Sequence, residues 1–194
     1  MVETKSPKLR QSSSKKFGLC VVGNSALHSL IENNNLIEPS RPEMISCSGV
    51  DLRLGDEYYL LRSLNKVFDT HRKNSARFYY GKSKNSELLI NSNDRYLVCT
   101  IERINMPKDL IGLVGLRSSY SRLGLQMPLG FIDPGFVGQL TMEISGGTFP
   151  VLLHSGDRVF HVIFAALKEA SETAYNGRYQ NQKGVTLPIF PEKH

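Results

Sequence analysis

A short run of arginine and serine residues is the first stretch whose side chains could bind an anion. Residues 117–122 read RSSYSR, two cations and three serine hydroxyls in six positions, between Gly115 and Gly124. This composition predicts a short helical turn entered from a strand, with serine side chains capping its free N–H groups. Such N–H groups, together with arginine side chains, suit an anion such as phosphate. A capped surface turn with solvated arginines accounts for the same pattern equally well.

Two carboxylates lie ten residues apart just after this run, and either could take part in acid–base chemistry. Asp133 precedes Pro134 and Gly135, a pair that favours a type II turn. Residues 138–144 then alternate between polar and apolar, which predicts a strand with Glu143 on its polar face. Asp133 is either a turn-stabilising residue or a carboxylate held rigidly at a strand end. Glu143 is either an ordinary solvent-facing residue or an acid/base that projects into a pocket.

The order of these motifs resembles the dCTP deaminases, which belong to the trimeric dUTPase-like superfamily. The core of the resemblance is RSSxxRLGL followed by IDPGFxGxLTxE, within residues 117–143. Three further segments agree in order: 48–55 (SGVDLRLG), 155–157 (SGD) and 177–184 (GRYQNQKG). The resemblance extends over about residues 17–191. It implies hydrolytic deamination of dCTP to dUTP and ammonia.

The resemblance also implies a role for each residue of the central motifs. Glu143 would shuttle the proton, and Ser118 and Arg122 would hold the attacking water and offset charge in the tetrahedral intermediate. Asp133 would fix the sugar and help to position the water. The implied catalytic set is therefore Glu143, Arg122, Ser118 and Asp133.

In the same family the C-terminal segment closes over the nucleotide, and residues 168–194 would be that lid. A tyrosine, a basic residue and a glutamine of the lid contact the phosphates. The implied nucleotide-binding residues are Arg117, Ser118, Ser119, Asp133, Tyr175, Arg178 and Gln182. Mg²⁺ would accompany the triphosphate, bound through phosphate oxygens and water rather than by a protein cage.

The cysteine pattern predicts that any deamination proceeds without zinc. Zinc-dependent nucleobase deaminases carry an H-x-E and a P-C-x-x-C signature. The chain has no P-C-x-x-C, and its three cysteines, Cys20, Cys47 and Cys99, are far apart. A glutamate that shuttles the proton is the remaining device for activating the water.

Two departures from the deaminase pattern keep a second enzyme class open. The segment between LGL and ID has six residues, 126–131, whereas the deaminases usually have a longer segment with a His-x-Thr-Ala-like loop. Six is nearer to the dUTPases, so the alternatives are a dUTP diphosphatase or a bifunctional enzyme that releases dUMP and pyrophosphate. His161 stands where a glutamine is frequent, either as a neutral core residue or as one that contacts the base. Two residues favour the deaminases over the dUTPases: Phe136, which stands in place of the dUTPase tyrosine, and Glu143.

The charge distribution supplies the alternative that is not an enzyme. The chain has a formal charge of +6, and residues 1–16 hold five Lys or Arg against one Glu. This Ser- and Lys-rich tail is predicted to be disordered, and a solvated extension is favoured over a nucleic-acid contact because no aromatics are interleaved. A nucleotide-sensing regulatory protein on the same fold, with this tail as a nucleic-acid contact, is the remaining possibility.

The elements that must position these residues are predominantly strands. Short apolar or alternating runs separated by Gly, Asn and Pro predict a mostly-β, dUTPase-like distorted jelly roll or barrel. A helix is predicted from Asn24-Ser25 as its cap to residues 33–35, strand–turn–strand over residues 45–62, and a loop or hairpin over 65–85. Residues 17–194 would form one domain, with residues 1–16 as the tail.

Length and composition exclude several classes. A chain of 194 residues with 40% hydrophobic residues can bury a core without disulfides. No apolar run is long enough for a membrane span, and no apolar stretch follows the basic N-terminus as in a secretory signal. An odd number of distant cysteines predicts a reduced, cytoplasmic protein. The resemblance further implies a homotrimer with sites shared between subunits, and dTTP as a possible inhibitor.

Overall fold

Alternation of apolar and polar residues gives this chain strands along most of its length. The computed structural model describes residues 20–71 and 76–190, so the predicted tail, residues 1–16, lies outside the described residues. The predicted mostly-β class is confirmed. The strands are β1 Cys20–Val21, β2 Ile37–Glu38, β3 Val50–Leu61, β4 Tyr80–Lys84, β5 Glu87–Ile90, β6 Arg95–Asn105, β7 Leu110–Leu116, β8 Gly130–Ile132, β9 Val137–Ser145, β10 Val151–His154 and β11 Arg158–Ala166.

Two short α-helices interrupt the strands, α1 Asn24–Asn34 and α2 Ser118–Arg122. Single turns of 3₁₀ helix cover Pro42–Met44 and Ala76–Tyr79. The predicted side-chain cap of α1 is wrong: Gly23 is the N-cap residue, and the Asn24 amide instead donates to the Ser46 carbonyl at 3.0 Å. The predicted end is confirmed, since Asn35 adopts the left-handed conformation with φ 51°.

Antiparallel pairing builds one large sheet and one small one. The large sheet has the order β2-β6-β3-β11-β7-β8, and β1, β4 and β9 pair with β11, β3 and β6 respectively. Strands β5 and β10 form a separate two-stranded sheet. Because β3 and β6 each pair with several partners along their lengths, they carry the sheet around the core in the manner of a jelly roll.

The predicted turn within residues 45–62 is wrong, because β3 runs unbroken for twelve residues. Its pairing with β6 shifts register between Leu54 and Tyr58, so the strand bends at a bulge. Gly55 lies in this bulge, where a Cβ atom would come within 2.7 Å of the Cys99 sulfur. The glycine that suggested a turn therefore permits two strands to approach closely.

Within the polar region 65–85, Tyr80–Lys84 forms β4, the second strand of a hairpin with β3, and a hairpin is one of the two shapes predicted for this region. β4 pairs with the end of β3 from Tyr80–Leu61 to Lys84–Glu57. Lys82 and Lys84 line this strand and form ion pairs with acidic residues of β3. Lysines on an edge strand discourage further strand addition, and they remove the apolar alternation that would have predicted β4.

A buried ion pair stabilises the bend of β6, next to β9. Glu102 has no exposed surface, and its carboxylate accepts from Arg53 Nε at 2.6 Å and from the Arg53 backbone N–H at 2.7 Å. The pairing of β6 with β9 shifts register between Cys99 and Arg103, beside this pair. Thr100 bridges the gap, because its hydroxyl oxygen accepts from the Leu140 N–H at 2.9 Å. The start of β9 is thereby fixed relative to the core.

None of the helices within residues 20–71 and 76–190 has the length and hydrophobicity that a membrane crossing requires.

Candidate functional site

Strand β9 carries Glu143 on its half-buried face. Leu140, Met142 and Ile144 are buried on the opposite face, which confirms the predicted alternation. The Glu143 side chain is 31% exposed, and its Oε1 lies 3.9 Å from Nη1 of Arg95. A partly exposed carboxylate with a cationic neighbour at this distance can accept a proton from a bound molecule.

Tyr80, the first residue of β4, faces the same carboxylate. Burial raises the pKa of its phenol, and the negative charge of Glu143 and the Tyr179 ring raise that pKa further. The Tyr80 hydroxyl therefore keeps its proton at neutral pH and remains a hydrogen-bond donor on this side of the sheet.

The turn after β8 fixes Asp133 and anchors the C-terminal segment. The Phe136 N–H donates to the Asp133 carbonyl at 3.1 Å and Gly135 has φ 81°, so the predicted type II turn is confirmed. The Pro134 carbonyl accepts from the Tyr175 N–H at 2.7 Å. The Tyr175 ring then meets the Phe136 ring edge to face, with centroids 5.7 Å apart. A single turn thus holds both a carboxylate and Tyr175 of the predicted lid.

A cavity of about 370 Å³ lies between this turn, β9 and the C-terminal segment, within the usual size range of small-molecule sites. Three of the predicted nucleotide-binding residues, Asp133, Tyr175 and Gln182, line it together. The rest of the wall is mostly apolar, with two threonines and Tyr179 among it. The other lining residues are Leu97, Val114, Gly130, Phe131, Ile132, Phe136, Leu140, Thr141, Met142, Tyr179, Thr186 and Pro188.

The predicted lid residues make contacts within their own chain. Gln182 Nε2 donates to the Gln139 carbonyl at 2.7 Å. Arg178 Nη1 donates to the Ile189 carbonyl at 3.3 Å, on the exposed side of the segment. Tyr175 uses its hydroxyl oxygen to accept from the Tyr179 N–H at 3.4 Å. The segment therefore lies over the cavity and is held there by hydrogen bonds within itself and to β9.

The predicted anion-binding run forms the short helix α2, as expected, but its serines do not cap it. Arg117 is the N-cap residue, and no side-chain cap bond is present at this helix start. Arg117 instead points back to the barrel, with Nε 3.0 Å from Oδ2 of Asp51 and Nη1 donating to the Arg158 carbonyl at 2.9 Å. The predicted residues Arg117, Ser118, Ser119 and Arg122 are absent from the lining of the cavity within this chain.

A cluster around Asp51 was missed by reading the sequence. The Asp51 side chain is 10% exposed and contacts Arg117, Arg158 (Oδ2 to Nη1, 3.7 Å) and His161 (Oδ1 to Nδ1, 2.9 Å). Its members come from β3, β11 and the start of α2. His161 is therefore a half-exposed partner of a carboxylate, rather than a core residue or part of the cavity lining.

The sequence contains one indication that Asp51 has a charged or polar partner. Asp51 falls between Val50 and Leu52 in an apolar strand, where a lone acid requires a partner. Its partner His161 is 110 residues away, so only the pairing of β3 with β11 brings the two together. Gln139 and Thr141 were likewise recognised only as the polar face of β9, although both hold the C-terminal segment.

Comparison with known proteins gives a consistent result. A family model described as dCTP deaminase-like matches residues 21–167. A dCTP deaminase of Sulfurisphaera tokodaii is 44% identical over 154 residues, which cover 79% of this chain and 83% of that protein. A dCTP deaminase of Acidianus ambivalens is 39% identical over 155 residues, which cover 80% of this chain and 88% of that protein.

Among solved structures, the 2'-deoxycytidine 5'-triphosphate deaminase from Agrobacterium tumefaciens superposes with a TM-score of 0.63 at 20% identity. The superposition covers 76% of this chain and 48% of that one, so the chain spans about half the length of that protein. At this identity the likeness shows the fold, and it confirms the predicted dUTPase-like architecture. The family model and the curated relatives go further, and on them this chain belongs to the dCTP deaminase-like family.

Proposed function

We propose that this protein is a hydrolase that converts dCTP to dUTP and ammonia, without zinc. The observation that carries the proposal is the cavity beside β9. Asp133 and Thr141 line this cavity, and Glu143, which is not among its lining residues, follows Thr141 by two positions on the same face of the strand. The relatives that match most of the chain are named dCTP deaminase, which supports the same reaction. Cytosine would enter the apolar part of the cavity, and Asp133 would fix the sugar.

In the proposed reaction, water adds to C4 of cytosine and ammonia leaves. Glu143 accepts one proton of the water as the new C–O bond forms, giving a tetrahedral centre at C4. The same carboxyl returns that proton to the amino nitrogen, and the C–N bond breaks to release ammonia. The second water proton passes to N3 of the ring as the C4 carbonyl forms. Ser118 would hold the water, and Arg122 would offset the negative charge that develops in the tetrahedral intermediate.

The triphosphate would be bound by cations rather than by a preformed metal cage. Arg117 and Arg158 both contact Asp51, and that carboxylate has His161 on its other oxygen. With its oxygens already engaged, Asp51 is a poor ligand for a bare cation, whereas the arginines suit phosphate oxygens. Mg²⁺ would therefore arrive with the nucleotide, held by phosphate oxygens and water. Ser118, Ser119, Tyr175, Arg178 and Gln182 would complete the contacts to the nucleotide.

A second activity on dUTP is proposed as the alternative, alone or together with deamination. The last two residues of the six-residue segment 126–131, Gly130 and Phe131, already belong to β8 and line the cavity. A connection of this length leaves less chain beside the base than in the deaminases. In that case Asp133 would position a water for attack on phosphorus, and the products would be dUMP and pyrophosphate.

The wider proposals concern assembly, regulation and compartment. Ser118 and Arg122 lie outside the lining of the cavity of their own chain, which supports a homotrimer whose sites combine residues of neighbouring subunits. We propose a cytoplasmic protein, since its three cysteines, at residues 20, 47 and 99, are unpaired. Inhibition by dTTP, a nucleotide of the same general shape as dUTP, and a sensing role are the further proposals.

The first test follows ammonia and pyrophosphate together while the protein and Mg²⁺ are incubated with dCTP or dUTP. Ammonia alone from dCTP supports the deaminase, and both products support the bifunctional alternative. Pyrophosphate from dUTP without ammonia from dCTP moves the assignment to a dUTP diphosphatase. Adding dTTP to the same assay tests inhibition. No product from either nucleotide favours the sensor.

Glu143→Gln tests the proton shuttle. We expect the variant to bind dCTP but to lose about 10²- to 10⁴-fold in kcat, the usual contribution of general acid–base catalysis. Glu32→Gln, on the exposed side of α1, removes the same charge away from the cavity and is the matched control. Full turnover by Glu143→Gln would exclude this residue as the shuttle.

A further inference from the structure

The edge of β9 that does not pair with β6 is covered by the C-terminal segment, which runs parallel to the strand. β9 pairs with β6 on one edge. On the other, the Val137 carbonyl accepts from the Asn181 N–H at 2.7 Å, and the Gln139 N–H donates to the Gln182 carbonyl at 3.1 Å. Gly138, with φ 151°, pairs with Gln182, and a Cβ atom there would come within 3.0 Å of the Gln182 backbone. The segment therefore lies directly against the strand that carries Glu143.

Further along β9, the hydrogen bonds to the C-terminal segment come from two side chains of the strand instead of its backbone. Gln139 Oε1 accepts from the Gly184 N–H at 2.7 Å. The other end of the same amide is fixed, because Nε2 donates to the Thr100 carbonyl at 2.8 Å and approaches the Ile101 carbonyl at 3.2 Å. Gln139 thus connects β6, β9 and the C-terminal segment through a single half-buried side chain.

Thr141 repeats the contact two residues further along both strands. Its Oγ1 accepts from the Thr186 N–H at 3.0 Å and lies 3.4 Å from the Gly184 carbonyl. Both contacts join residues 45 positions apart, Gln139 to Gly184 and Thr141 to Thr186. Two bonds with the same offset fix the register of the segment, as a ladder would in a sheet.

The register decides which side chains of the segment reach the cavity. Gln182, Thr186 and Pro188 line it, whereas Val185 turns away and is buried against Tyr59 and Cys99. Because neighbouring residues of an extended chain point in opposite directions, a slip of one position would exchange the two sets.

We propose that Gln139 and Thr141 are positioning residues, which set the register of the C-terminal segment over the nucleotide. They act on backbone N–H groups, so they control where the segment lies without themselves carrying chemistry. Gln139 lies outside the cavity lining, so its substitution separates positioning from direct contact with a ligand. This inference rests on the proposed function for its kinetic consequence, whereas the hydrogen bonds themselves can be tested apart from any activity.

The first test is amide hydrogen exchange of the full chain without any nucleotide, which is independent of the proposed activity. Methionine is similar in size to glutamine but cannot form these hydrogen bonds. We expect the Gly184 amide to exchange its hydrogen roughly 5- to 10-fold faster in Gln139→Met than in the wild type, as for loss of one net hydrogen bond. Thr141→Val should do the same to the Thr186 amide, and Thr141→Ser should restore its protection. Unchanged exchange in Gln139→Met and Thr141→Val would overturn the proposal, even if no reaction is found.

The kinetic test uses the same variants with dCTP. A positioning role predicts that KM for dCTP rises about 10-fold in Gln139→Met and in Thr141→Val while kcat stays within about twofold, because closure is weakened before chemistry. Thr141→Ser should return KM to the wild-type value. Faster exchange with an unchanged KM would show that the register does not serve the nucleotide. Absence of ammonia from the wild-type protein would instead count against the proposed function alone.

Discussion

At the scale of single residues, Cys99 shows how burial controls reactivity in this chain. Its side chain is 3% exposed, lies against the bulge at Gly55, and has its sulfur 3.7 Å from the Glu57 carbonyl. Burial raises the pKa of the Cys99 thiol from 9.0 to about 11, while the other two cysteines, Cys20 and Cys47, are exposed. The neutral thiol is therefore the form that the fold favours.

We expect iodoacetamide at pH 8 to alkylate Cys20 and Cys47 of the native protein well before Cys99, since only the thiolate reacts. Mass spectrometry of the peptides measures the three rates, and urea-unfolded protein is the control in which all three react. Because the unfolded thiol ionises at lower pH than the folded one, the buried Cys99 makes the stability of the fold depend on pH. Its contribution to the free energy of unfolding is complete below pH 9.0 and is lost as the pH rises towards 11. Equal native rates for Cys99 and Cys47 would contradict this.

The Asp51 cluster marks the limit of what residue types can predict. Its carboxylate is shared by Arg117, Arg158 and His161, which reach it from distant parts of the chain. Local spacing identified Arg117 as a cation that suits an anion, but its partner depends on the pairing of β3 with β11 and β11 with β7. Contacts of this kind are set by topology, which a local pattern does not encode.

At the scale of elements, the turn before β9 packs closely against the C-terminal segment. Gly135 has φ 81°, and a Cβ atom there would come within 2.5 Å of the Ala174 side chain. Gly156, in the turn before β11, has φ 94° with nothing within 4 Å of such an atom. The two glycines share a backbone requirement and differ in what packs against them.

Alanine at each position separates these effects. Gly156→Ala should reduce the free energy of unfolding by about 1–2 kcal/mol, the cost of a left-handed conformation for a residue with a Cβ atom. Gly135→Ala should cost more and should also raise KM for dCTP, because Ala174 and Tyr175 must move. Urea unfolding measures the free energy of unfolding of each variant, and steady-state kinetics measures its KM for dCTP. Equal unfolding energies and an unchanged KM for both variants would exclude the proposed role of this turn.

The elements themselves were largely predictable, and the failures have physical causes. Alternation along residues 138–144 gave β9 and the face of Glu143, and the Pro134-Gly135 pair gave the turn before it. Gly55 predicts a turn but lies in a bulge, because a glycine within a strand pattern is found in turns and in bulges alike. β4 lacks apolar alternation since its lysines face acidic residues of β3 and solvent.

At the scale of the whole molecule, the two halves of the proposed catalytic set are held at different places in one chain. Glu143 lies near Arg95 and Tyr80. The N-cap residue of α2, Arg117, contacts Asp51 and Arg158 instead. Within residues 20–71 and 76–190, no hydrogen bond or ion pair joins Glu143 with Ser118 or Arg122. The proposed homotrimer would account for this separation, because a site between subunits can take one half of the set from each chain.

A shared site predicts complementation between two inactive variants. Arg122→Ala and Glu143→Gln should each be inactive alone, but refolding them together in equal amounts should restore about a quarter of wild-type activity. Each site of a cyclic trimer then has one chance in two of an intact Glu143 and one in two of an intact Arg122 from its neighbour. Light scattering should give about three times the 21.8 kDa chain mass. A mixture that stays inactive, or an active particle of a single chain's mass, would place all catalytic residues within one subunit.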